Sequence, residues 1–361
     1  MNNPKRIGIA GAGLLGRLAA WTLARQGHEV TVLDPALSSD PQFDGRGPAG
    51  FTAAGMLSPL AELDAAEPDV AHRGWYSIER WEQIVQELRQ TTHRQPHFDR
   101  HGSLMVAHGS DLGAAQRVLS RIASGAKDWP AQPVTLAPEE LRETEPALHG
   151  SQGPLHAWLL PGEGAICTVG TMKALCEAVP QVQWEWGHRV SAVHAGWMAT
   201  TNGGQHTQER HFDWVIDVRG VGARPNSPVR GVRGEVIWLH APDVRLTRPI
   251  RLLHPRHRVY IVPRPGDVIL VGASEIESED RSPVSLRTAV ELMAAAHSIV
   301  PGLAEARILR MDTNLRPALP DNRPEIHTEP GLLRINGLYR HGWLLAPSLL
   351  DEALSHTDLV H

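Results

Sequence analysis

The chain has 361 residues, 42% of them hydrophobic, and a formal net charge of −5. This hydrophobic fraction excludes a disordered chain, and the length allows two domains or one large two-lobed unit. Interspersed acidic and basic residues argue against a surface for nucleic acid or anionic membranes, and neither a signal peptide nor a transmembrane run is predicted.

The first predicted elements form a strand–helix–strand unit over residues 6–34. "RIGIAG" has the pattern of a short buried strand, and "LLGRLAAWTLARQG" repeats apolar residues at helical spacing until Gly27 ends it. "HEVTVLDP" is a second strand, which ends at Asp34. A strand, a glycine-rich turn, a helix and a strand within about thirty residues are typical of a βαβ dinucleotide-binding unit.

Each glycine of "GAGLLG" has a separate expected task in such a unit. Gly11 permits the tight turn, Gly13 lets the backbone approach a pyrophosphate, and Gly16 lets helix and strand pack closely. The helix N-terminus offers free N–H groups to phosphates, and Asp34 is placed to accept hydrogen bonds from a ribose. A glycine turn without a ligand would leave Asp34 unexplained, so we expect a nucleotide site. The motif does not distinguish NAD from FAD.

Helices and strands alternate through the rest of the chain. Helices are predicted over "GWYSIERWEQIVQELRQ", over part of "PVTLAPEELRETEP", over "GTMKALCEAV" and over "SLRTAVELMAAAHSIV". Strands are predicted over "GSLMVAH", at the start of "PVTLAPEELRETEP" and over "FDWVIDVRG". Residues 232–315 are expected to contain strands separated by turns such as "PRPGDV", followed by the last of these helices.

Histidine and cysteine residues receive a structural interpretation. His93, His97 and His101 have helical spacing, but a proline between them breaks a helix, and no paired carboxylates accompany them. We expect a solvated loop there and no metal. Cys167 and Cys176 are interpreted as small packing residues, not as a disulfide or redox pair, which fits a reducing, cytoplasmic compartment.

Several later stretches carry a resemblance to a known family. "FTAAGMLSPLAE" is a small-residue run that would let backbone approach a flat ring system, although a helix start would also explain it. "GVRGEVIWL", "VYIVPRPGDVILVGAS", "DTNLRPALPDNRPEI" and "GLLRINGLYRHGWLLAP" follow in that order. Together these stretches resemble the D-amino acid oxidase and glycine oxidase family of flavoproteins, most closely the glycine oxidases of thiamine biosynthesis. The resemblance covers nearly the whole chain.

The resemblance implies an α/β (α+β) fold with two domains. A Rossmann-like FAD-binding domain would be assembled from residues 1–90, 150–225 and 320–361, and an antiparallel-sheet substrate domain from 91–149 and 226–319. FAD would be bound non-covalently. The cofactor-binding residues expected from the glycine turn and the resemblance together are Gly11, Gly13, Leu14, Leu15, Gly16, Asp34, Ala53, Ala54, Gly55, Met56, Val190, Gly220, Gly337, Tyr339, Arg340, His341, Gly342, Trp343 and Leu344.

Three residues are candidates for the substrate site. An amino acid presents a carboxylate, and a buried carboxylate requires a bidentate, permanently charged partner. Arg316 in "LRP" matches the family's carboxylate-binding arginine. The alternative is that it forms a surface salt bridge without a role in substrate binding. Tyr260 in "VYIVPR" matches the tyrosine that binds the carboxylate or shapes the pocket, with ordinary sheet packing as the alternative. Arg340 would add positive charge near substrate or flavin.

The sequence departs from the family near the expected flavin. The usual Gly-His-Tyr/Phe-Arg-Asn-Gly is here Gly-Leu-Tyr-Arg-His-Gly, which introduces Leu338 and His341. Trp343 replaces an aliphatic residue, and Arg219 stands where small residues are common. These changes could alter the reactivity of the flavin or the choice of substrate.

The resemblance implies hydride transfer from glycine or a similarly small amino acid to flavin, which gives the imine. Reoxidation by O2 would give hydrogen peroxide, and in thiamine biosynthesis the imine of glycine would be the useful product. One alternative is a dehydrogenase with another electron acceptor, acting on a D-amino acid, a proline-like substrate or a 2-hydroxy acid. Another is a non-catalytic flavoprotein partner. The sequence leaves a homo-oligomer open.

Overall fold

The computed structural model describes residues 3–127, 129, 131–150, 153–202, 207–255 and 258–360. The α-helices of these residues include the five that the sequence predicts, at residues 14–25, 68–91, 138–144, 168–177 and 286–299. They also include helices, such as that at residues 112–125, for which the sequence made no prediction. In chain order the α-helices of these residues are α1 Leu14–Arg25, α2 Ala49–Thr52, α3 Pro59–Glu62, α4 Pro68–Thr91, α5 Leu112–Gly125, α6 Pro138–Thr144, α7 Thr168–Glu177, α8 Leu286–Ile299 and α9 Gly342–Ser355.

The strands of the described residues form several sheets. They are β1 Arg6–Ala10, β2 Glu29–Asp34, β3 Met56–Leu57, β4 Phe98–Asp99, β5 Ser103–His108, β6 Val134–Leu136, β7 Leu155–Leu160, β8 Gly164–Ile166, β9 Gln183–Trp186, β10 His188–His194, β11 Trp197–Asn202, β12 Thr207–His211, β13 Trp214–Asp217, β14 Arg230–His240, β15 Ile250–Leu253, β16 Arg258–Arg264, β17 Val268–Gly272, β18 Arg307–Ala318, β19 Glu325–Glu329 and β20 Leu332–Asn336.

A six-stranded sheet contains the predicted βαβ unit. Its strand order is β19-β20-β13-β1-β2-β9, and β1 pairs in parallel with β2 on one side and with β13 on the other. The strand–helix–strand prediction for residues 6–34 is therefore confirmed. Neighbouring strands of this sheet come from distant parts of the sequence. β20 pairs in parallel with β13, and β9 pairs in parallel with β2.

The two faces of this sheet are covered differently, as alternation along β1 requires. Ile7 and Ile9 pack into the apolar core that contains α1, α4, α7 and α9. Gly8 faces the opposite side, where an added Cβ would lie 2.6 Å from Met198 and Phe212. Met198 belongs to the three-stranded antiparallel sheet β10-β11-β12, so that sheet covers the second face.

An eight-stranded sheet in the order β18-β14-β17-β16-β15-β5-β7-β6 forms the other large layer. It is mostly antiparallel, apart from the parallel pair β15–β5. One face packs on α8 through residues such as Ile237 and Ile261. The opposite face carries Val236 and Val262, which pack towards Ala54 and Ala165. This second face therefore lies against the small-residue segment that follows α2.

The mixed α/β fold with an antiparallel-sheet layer is thus as expected. The strand Leu155–Leu160 pairs with β5 in the eight-stranded sheet, whereas the family resemblance implies that residues 150–225 belong to the FAD-binding domain. The boundaries of the two proposed domains stay a prediction. In the described part of the chain, no helix is both long and apolar enough to cross a membrane.

Candidate active site

The glycine turn between β1 and α1 is built from three positions with different steric demands. Gly11 has φ +103°, a conformation that L side chains rarely adopt. A Cβ on Gly16 would lie 1.8 Å from the carbonyl oxygen of Gly11, so the helix can approach the turn only with glycine there. At Gly13 the nearest atom to an added Cβ is Pro48 Cβ, at 3.9 Å, so the space above Gly13 is open.

Asp34 stands at the end of β2 and is buried against this turn. Its Oδ2 accepts the N–H of Ala12 at 2.6 Å, and its Oδ1 accepts the N–H of Ala36 at 2.8 Å. Each carboxylate oxygen can accept a further hydrogen bond, because it has two lone pairs. Asp34 therefore orients the turn and still offers acceptors to a ligand.

A cavity of about 1220 Å³ extends from this turn to the inner face of the eight-stranded sheet. It begins at the carboxyl ends of β1, β2, β13 and β20, where open α/β sheets bind their ligands. The predicted site residues that line it are Gly11, Gly13, Leu14, Leu15, Asp34, Ala53, Ala54, Gly55, Met56, Val190, Gly220, Tyr260, Arg316, Tyr339, Arg340, His341, Gly342, Trp343 and Leu344.

Two of the expected cofactor-binding residues, Gly16 and Gly337, are not among the lining residues. Gly16 packs on Gly11, as described above. Gly337 has φ +78°, and an added Cβ would lie 2.7 Å from the Leu319 side chain. Both glycines allow neighbouring protein segments to pack closely, and neither of them lines the cavity.

The small-residue segment that follows α2 forms one wall of the cavity. Gly55 has φ +63°, and an added Cβ would lie 2.2 Å from the carbonyl oxygen of Ile166. The buried guanidinium of Arg264 donates to the carbonyls of Ile166, at 2.5 Å, and of Ala53 and Ala54. The segment "FTAAGMLSPLAE" is helical at its two ends, in α2 and α3, as the helix-start alternative allows. Residues 53–58 between them are not helical, and the wall that they form is held by an arginine from β16.

The eight-stranded sheet presents Tyr260 and Arg251 to the cavity side by side. The two residues are register partners on β16 and β15, and Tyr260 also pairs with Gly272 on β17. A Cβ on Gly272 would lie 2.7 Å from the Tyr260 ring, so the ring lies directly over that glycine. Burial raises the pKa of Tyr260, and the nearby Arg316 opposes that shift. The phenol is thus protonated at neutral pH and can donate.

Arg316 comes from β18 and lies over a second glycine of the same sheet. A Cβ on Gly234 would lie 2.6 Å from its Cζ. Its Nη2 donates to the carbonyl of Ser274 at 3.0 Å and its Nη1 to that of Arg233 at 3.3 Å. Among the described residues no carboxylate forms an ion pair with Arg316. A permanently charged fork without a counter-ion therefore lines the cavity.

A carboxylate from α3 connects the two sides of the cavity. Glu62 lies 3.0 Å from Arg251 Nη2, 3.2 Å from Arg340 Nη2 and 3.5 Å from His341 Nδ1. Burial opposes ionisation of Glu62, but the charges of His341, Arg251 and Arg340 outweigh it and lower the pKa of Glu62 to about 2. Arg340 therefore has a buried counter-ion, unlike Arg316.

Trp343, which departs from the family pattern, and Tyr339, which matches it, both have defined contacts. Trp343 donates its Nε1–H to the carbonyl of Gly50 at 3.0 Å, which joins the start of α9 to α2. Tyr339 has φ +50°, and its hydroxyl donates to Glu275 at 2.6 Å. Burial and this hydrogen bond raise the pKa of Tyr339 to about 12.

The unexpected Arg219 is held by Asp217. It pairs with both oxygens of that carboxylate, at 2.7 and 2.8 Å, and its Nη1 donates to the carbonyl of Val190 at 2.9 Å. Its positive charge is therefore neutralised beside the cavity.

Sequence reasoning missed Glu62, Arg251, Arg264 and Glu163. Glu62 is the last residue of the quoted segment "FTAAGMLSPLAE". A carboxylate at the end of this mainly apolar segment could have indicated a site residue. Glu163 accepts the N–H of Ala61 at 2.9 Å, and burial raises the pKa of Glu163 to about 7. No local pattern marks Arg251 or Arg264, because their partners lie far away in sequence.

The arrangement fits a flavin dinucleotide. The cavity is long, begins over a turn whose central glycine is open, and ends beside an arginine that lacks a counter-ion. Gly13 and Asp34 would hold the diphosphate and ribose, and the Ala53–Met56 wall and the start of α9 would lie along the ring system. Within the described ranges, no three His, Cys, Asp or Glu side chains form a metal-binding group.

Comparisons with known proteins agree with this geometry. The family model "FAD dependent oxidoreductase" (DAO) matches residues 6–349. The Rhizobium etli protein named as a thiamine biosynthesis oxidoreductase, ThiO, is 35% identical over 348 residues, which cover 96% of this chain and 94% of that protein. The glycine oxidase of Geobacillus kaustophilus is 25% identical over 369 residues, covering 94% of this chain and 89% of that protein.

Solved structures share the fold over nearly the full length. The crystal structure of glycine oxidase from Geobacillus kaustophilus has a TM-score of 0.81 at 24% identity, covering 99% of this chain and 98% of that one. Iminodiacetate oxidase from Chelativorans sp. BNC1 also has a TM-score of 0.81 at 24% identity, with 96% and 94% covered. The chain therefore belongs to the DAO family of FAD-dependent oxidoreductases, as an amino acid oxidoreductase similar to ThiO and glycine oxidase.

Proposed function

We propose that the protein oxidises the amine of glycine, or of a similarly small amino acid, to the imine, and that O2 then accepts the electrons to give hydrogen peroxide. The observation that carries the substrate class is the uncompensated Arg316 fork in the cavity. A half-buried cation without a carboxylate partner is unfavourable, and a substrate carboxylate would supply that partner. The names of the Rhizobium and Geobacillus relatives support the choice of glycine and a role in thiamine biosynthesis.

Two residues of the eight-stranded sheet would bind and orient the substrate. Arg316 would take the carboxylate in a two-bond fork, and the protonated hydroxyl of Tyr260 would donate to the same group. Gly234 and Gly272 beneath them leave room for both side chains to lie flat against the sheet. Because the carboxylate is fixed, the α-carbon is held in one orientation, and positioning of this kind supplies much of the rate enhancement.

Arg340 and Arg251 would act on the neighbouring part of the cavity. Glu62 neutralises part of their charge and fixes their guanidinium groups, so a small amine would meet a rigid wall. When bound, FAD supplies a hydride acceptor for the α-hydrogen of the neutral amine and returns the electrons to O2. The amine proton is lost to solvent, and the imine is then hydrolysed or captured.

We propose that FAD is bound non-covalently. Neither Cys167 nor Cys176 is among the residues that line the cavity. The large cavity and the open glycine turn support binding through the dinucleotide contacts.

The substrate proposal is tested by anaerobic titration of the purified protein. Glycine, sarcosine, D-alanine, D-proline and glycolate are added in turn, and the absorbance of oxidised flavin is followed. Bleaching by glycine or sarcosine at the lowest concentrations supports the proposal, whereas bleaching only by D-proline or glycolate contradicts it. Admitting air must then give one hydrogen peroxide per flavin reoxidised. Slow reoxidation in air with rapid reduction of a quinone would instead identify a dehydrogenase.

A further inference from the structure

One charged side chain lies behind the glycine turn, where the sequence predicts an ordinary apolar helix. Arg17 follows Gly16 in α1 and is only 1% exposed. Lysine and arginine are almost never fully buried unless they are paired. Among the described residues no carboxylate forms an ion pair with Arg17, so its charge is buried without a direct counter-ion.

The guanidinium is instead solvated by backbone. Its Nε donates to the carbonyl of Ala12 at 2.8 Å, its Nη1 to that of Met172 at 3.0 Å and its Nη2 to that of Ser39 at 3.1 Å. The faces of Phe51 and Trp186 lie 4.9 and 5.6 Å from its Cζ. These contacts satisfy its hydrogen bonds but carry no formal negative charge. Burial lowers the pKa of Arg17, and Asp34 and Asp40 oppose that shift through space.

The contact with Ala12 places this charge beside the turn itself. Asp34 holds the N–H of Ala12 and Arg17 holds its carbonyl, so both neighbouring peptide planes are fixed. The Ala12–Gly13 peptide is trans, and its N–H therefore points away from the guanidinium. Gly13 lines the cavity, whereas Arg17 does not. Arg17 thus lies one layer behind the surface that a phosphate would meet.

We propose that Arg17 is a positioning residue for the FAD diphosphate, on which its buried positive charge acts through the glycine turn and without direct contact. It orients the turn through Ala12 and adds a fixed positive charge to that of the α1 N-terminus. Because water is excluded around Arg17, its field at the turn is weakly screened. The inference rests on the family's cofactor and is independent of the substrate proposed above.

The test compares a ligand that carries the diphosphate with one that lacks it, so that the contribution of the diphosphate to binding is measured. The full-length chain, stripped of FAD, is titrated calorimetrically with ADP and with adenosine, and the ratio of the two dissociation constants is compared among variants. Arg17→Met removes the charge, and Arg17→Lys keeps it. Arg25→Met is the matched control, because Arg25 lies on the same helix but is partly exposed and paired with Glu87. Circular dichroism verifies that each variant is folded.

We expect Arg17→Met to weaken ADP binding roughly 10- to 30-fold relative to adenosine, the scale of one partly buried charge near a helix terminus. Arg17→Lys and Arg25→Met should keep the wild-type ratio within about threefold. If Arg17→Met does not fold, Arg17→Gln, which keeps a donor for Ala12, gives the same comparison. An unchanged ratio in the neutral variants overturns the proposal. The proposal is also overturned if Arg17→Lys weakens ADP binding relative to adenosine as much as Arg17→Met does. The shape of the side chain would then matter, and its charge would not.

Discussion

Asp34 binds the backbone N–H of Ala12 through one carboxylate oxygen, at 2.6 Å, so the acid that ends β2 also holds the glycine turn after β1. Asp34→Asn replaces one acceptor oxygen with an amide that faces a backbone donor. We expect weaker FAD binding together with a loss of about 1–3 kcal/mol in the unfolding free energy of the apoprotein. Flavin fluorescence and urea unfolding measure the two effects. Loss of FAD affinity without any loss of stability would mean that Asp34 serves the ligand only.

Gly13 and Gly16 should respond in opposite ways to substitution. A side chain at Gly13 projects into open space, so Gly13→Val should fold normally and lose most of its FAD. At Gly16 even a Cβ collides with Gly11, so Gly16→Ala should lose about 1–3 kcal/mol or more of stability. Flavin content per folded protein and thermal unfolding are the measurements. Equal flavin content in Gly13→Val and wild type would place the phosphates elsewhere.

Arg316→Ala should retain FAD and lose activity on amino acids. Removing one member of a buried ion pair costs about 3–5 kcal/mol, so kcat/KM should fall by some hundreds-fold or more. Arg316→Lys should recover only part of this, because an ammonium cannot reproduce the planar fork. The control substrate is a simple amine without a carboxylate, measured by flavin reduction. Similar losses on both substrates would assign Arg316 to the fold or to the flavin.

Glu163 should make stability depend on pH. Its carboxyl is buried, and its pKa of about 7 lies above the value of 4.5 expected in the unfolded chain. The folded state therefore binds the proton of Glu163 more tightly than the unfolded chain does. Protonated Glu163 contributes fully to the unfolding free energy below pH 4.5, and this contribution is lost as the pH rises to about 7. The wild type should lose about 3 kcal/mol across this window relative to Glu163→Gln. Parallel stability curves for the two proteins would show that Glu163 ionises normally.

The colour of the protein tests the mode of flavin binding. If FAD is held only by contacts of the cavity wall, acid precipitation should leave all of the yellow colour in the supernatant. Absorbance of the supernatant and of the redissolved pellet measures the partition. Colour that stays in the washed pellet would indicate a covalent bond.

Local patterns explain which parts could be predicted. The βαβ unit depends on glycine spacing and apolar alternation within residues 6–34, so its strands and helix were predictable without any knowledge of distant residues. Arg316 and Tyr260 were found through a family resemblance, and the sheet register that brings Tyr260 beside Arg251 could not be read from either strand alone.

The ion pairs and buried charges were harder to predict. Glu62 meets Arg251, which lies 189 residues later in the chain, and nothing local to either residue indicates the contact. Arg17 occupies a helix position that apolar spacing treats as one more surface residue, and only tertiary packing shows that it is buried. Contacts of this kind join residues that are far apart in the sequence. The periodicity of apolar residues within one segment does not indicate them.

The interleaved order of the six-stranded sheet affects how the protein is made. β1 and β2 emerge first from the ribosome, but β9 follows β2 by about 150 residues, β13 follows β1 by about 200, and β20 ends only at residue 336. At ordinary translation rates the first strands wait on the order of tens of seconds for their partners. During that interval the edges of β1 and β2 are unpaired, so the nascent chain is open to aggregation and to chaperones. The cofactor site can therefore mature only after synthesis of nearly the whole chain.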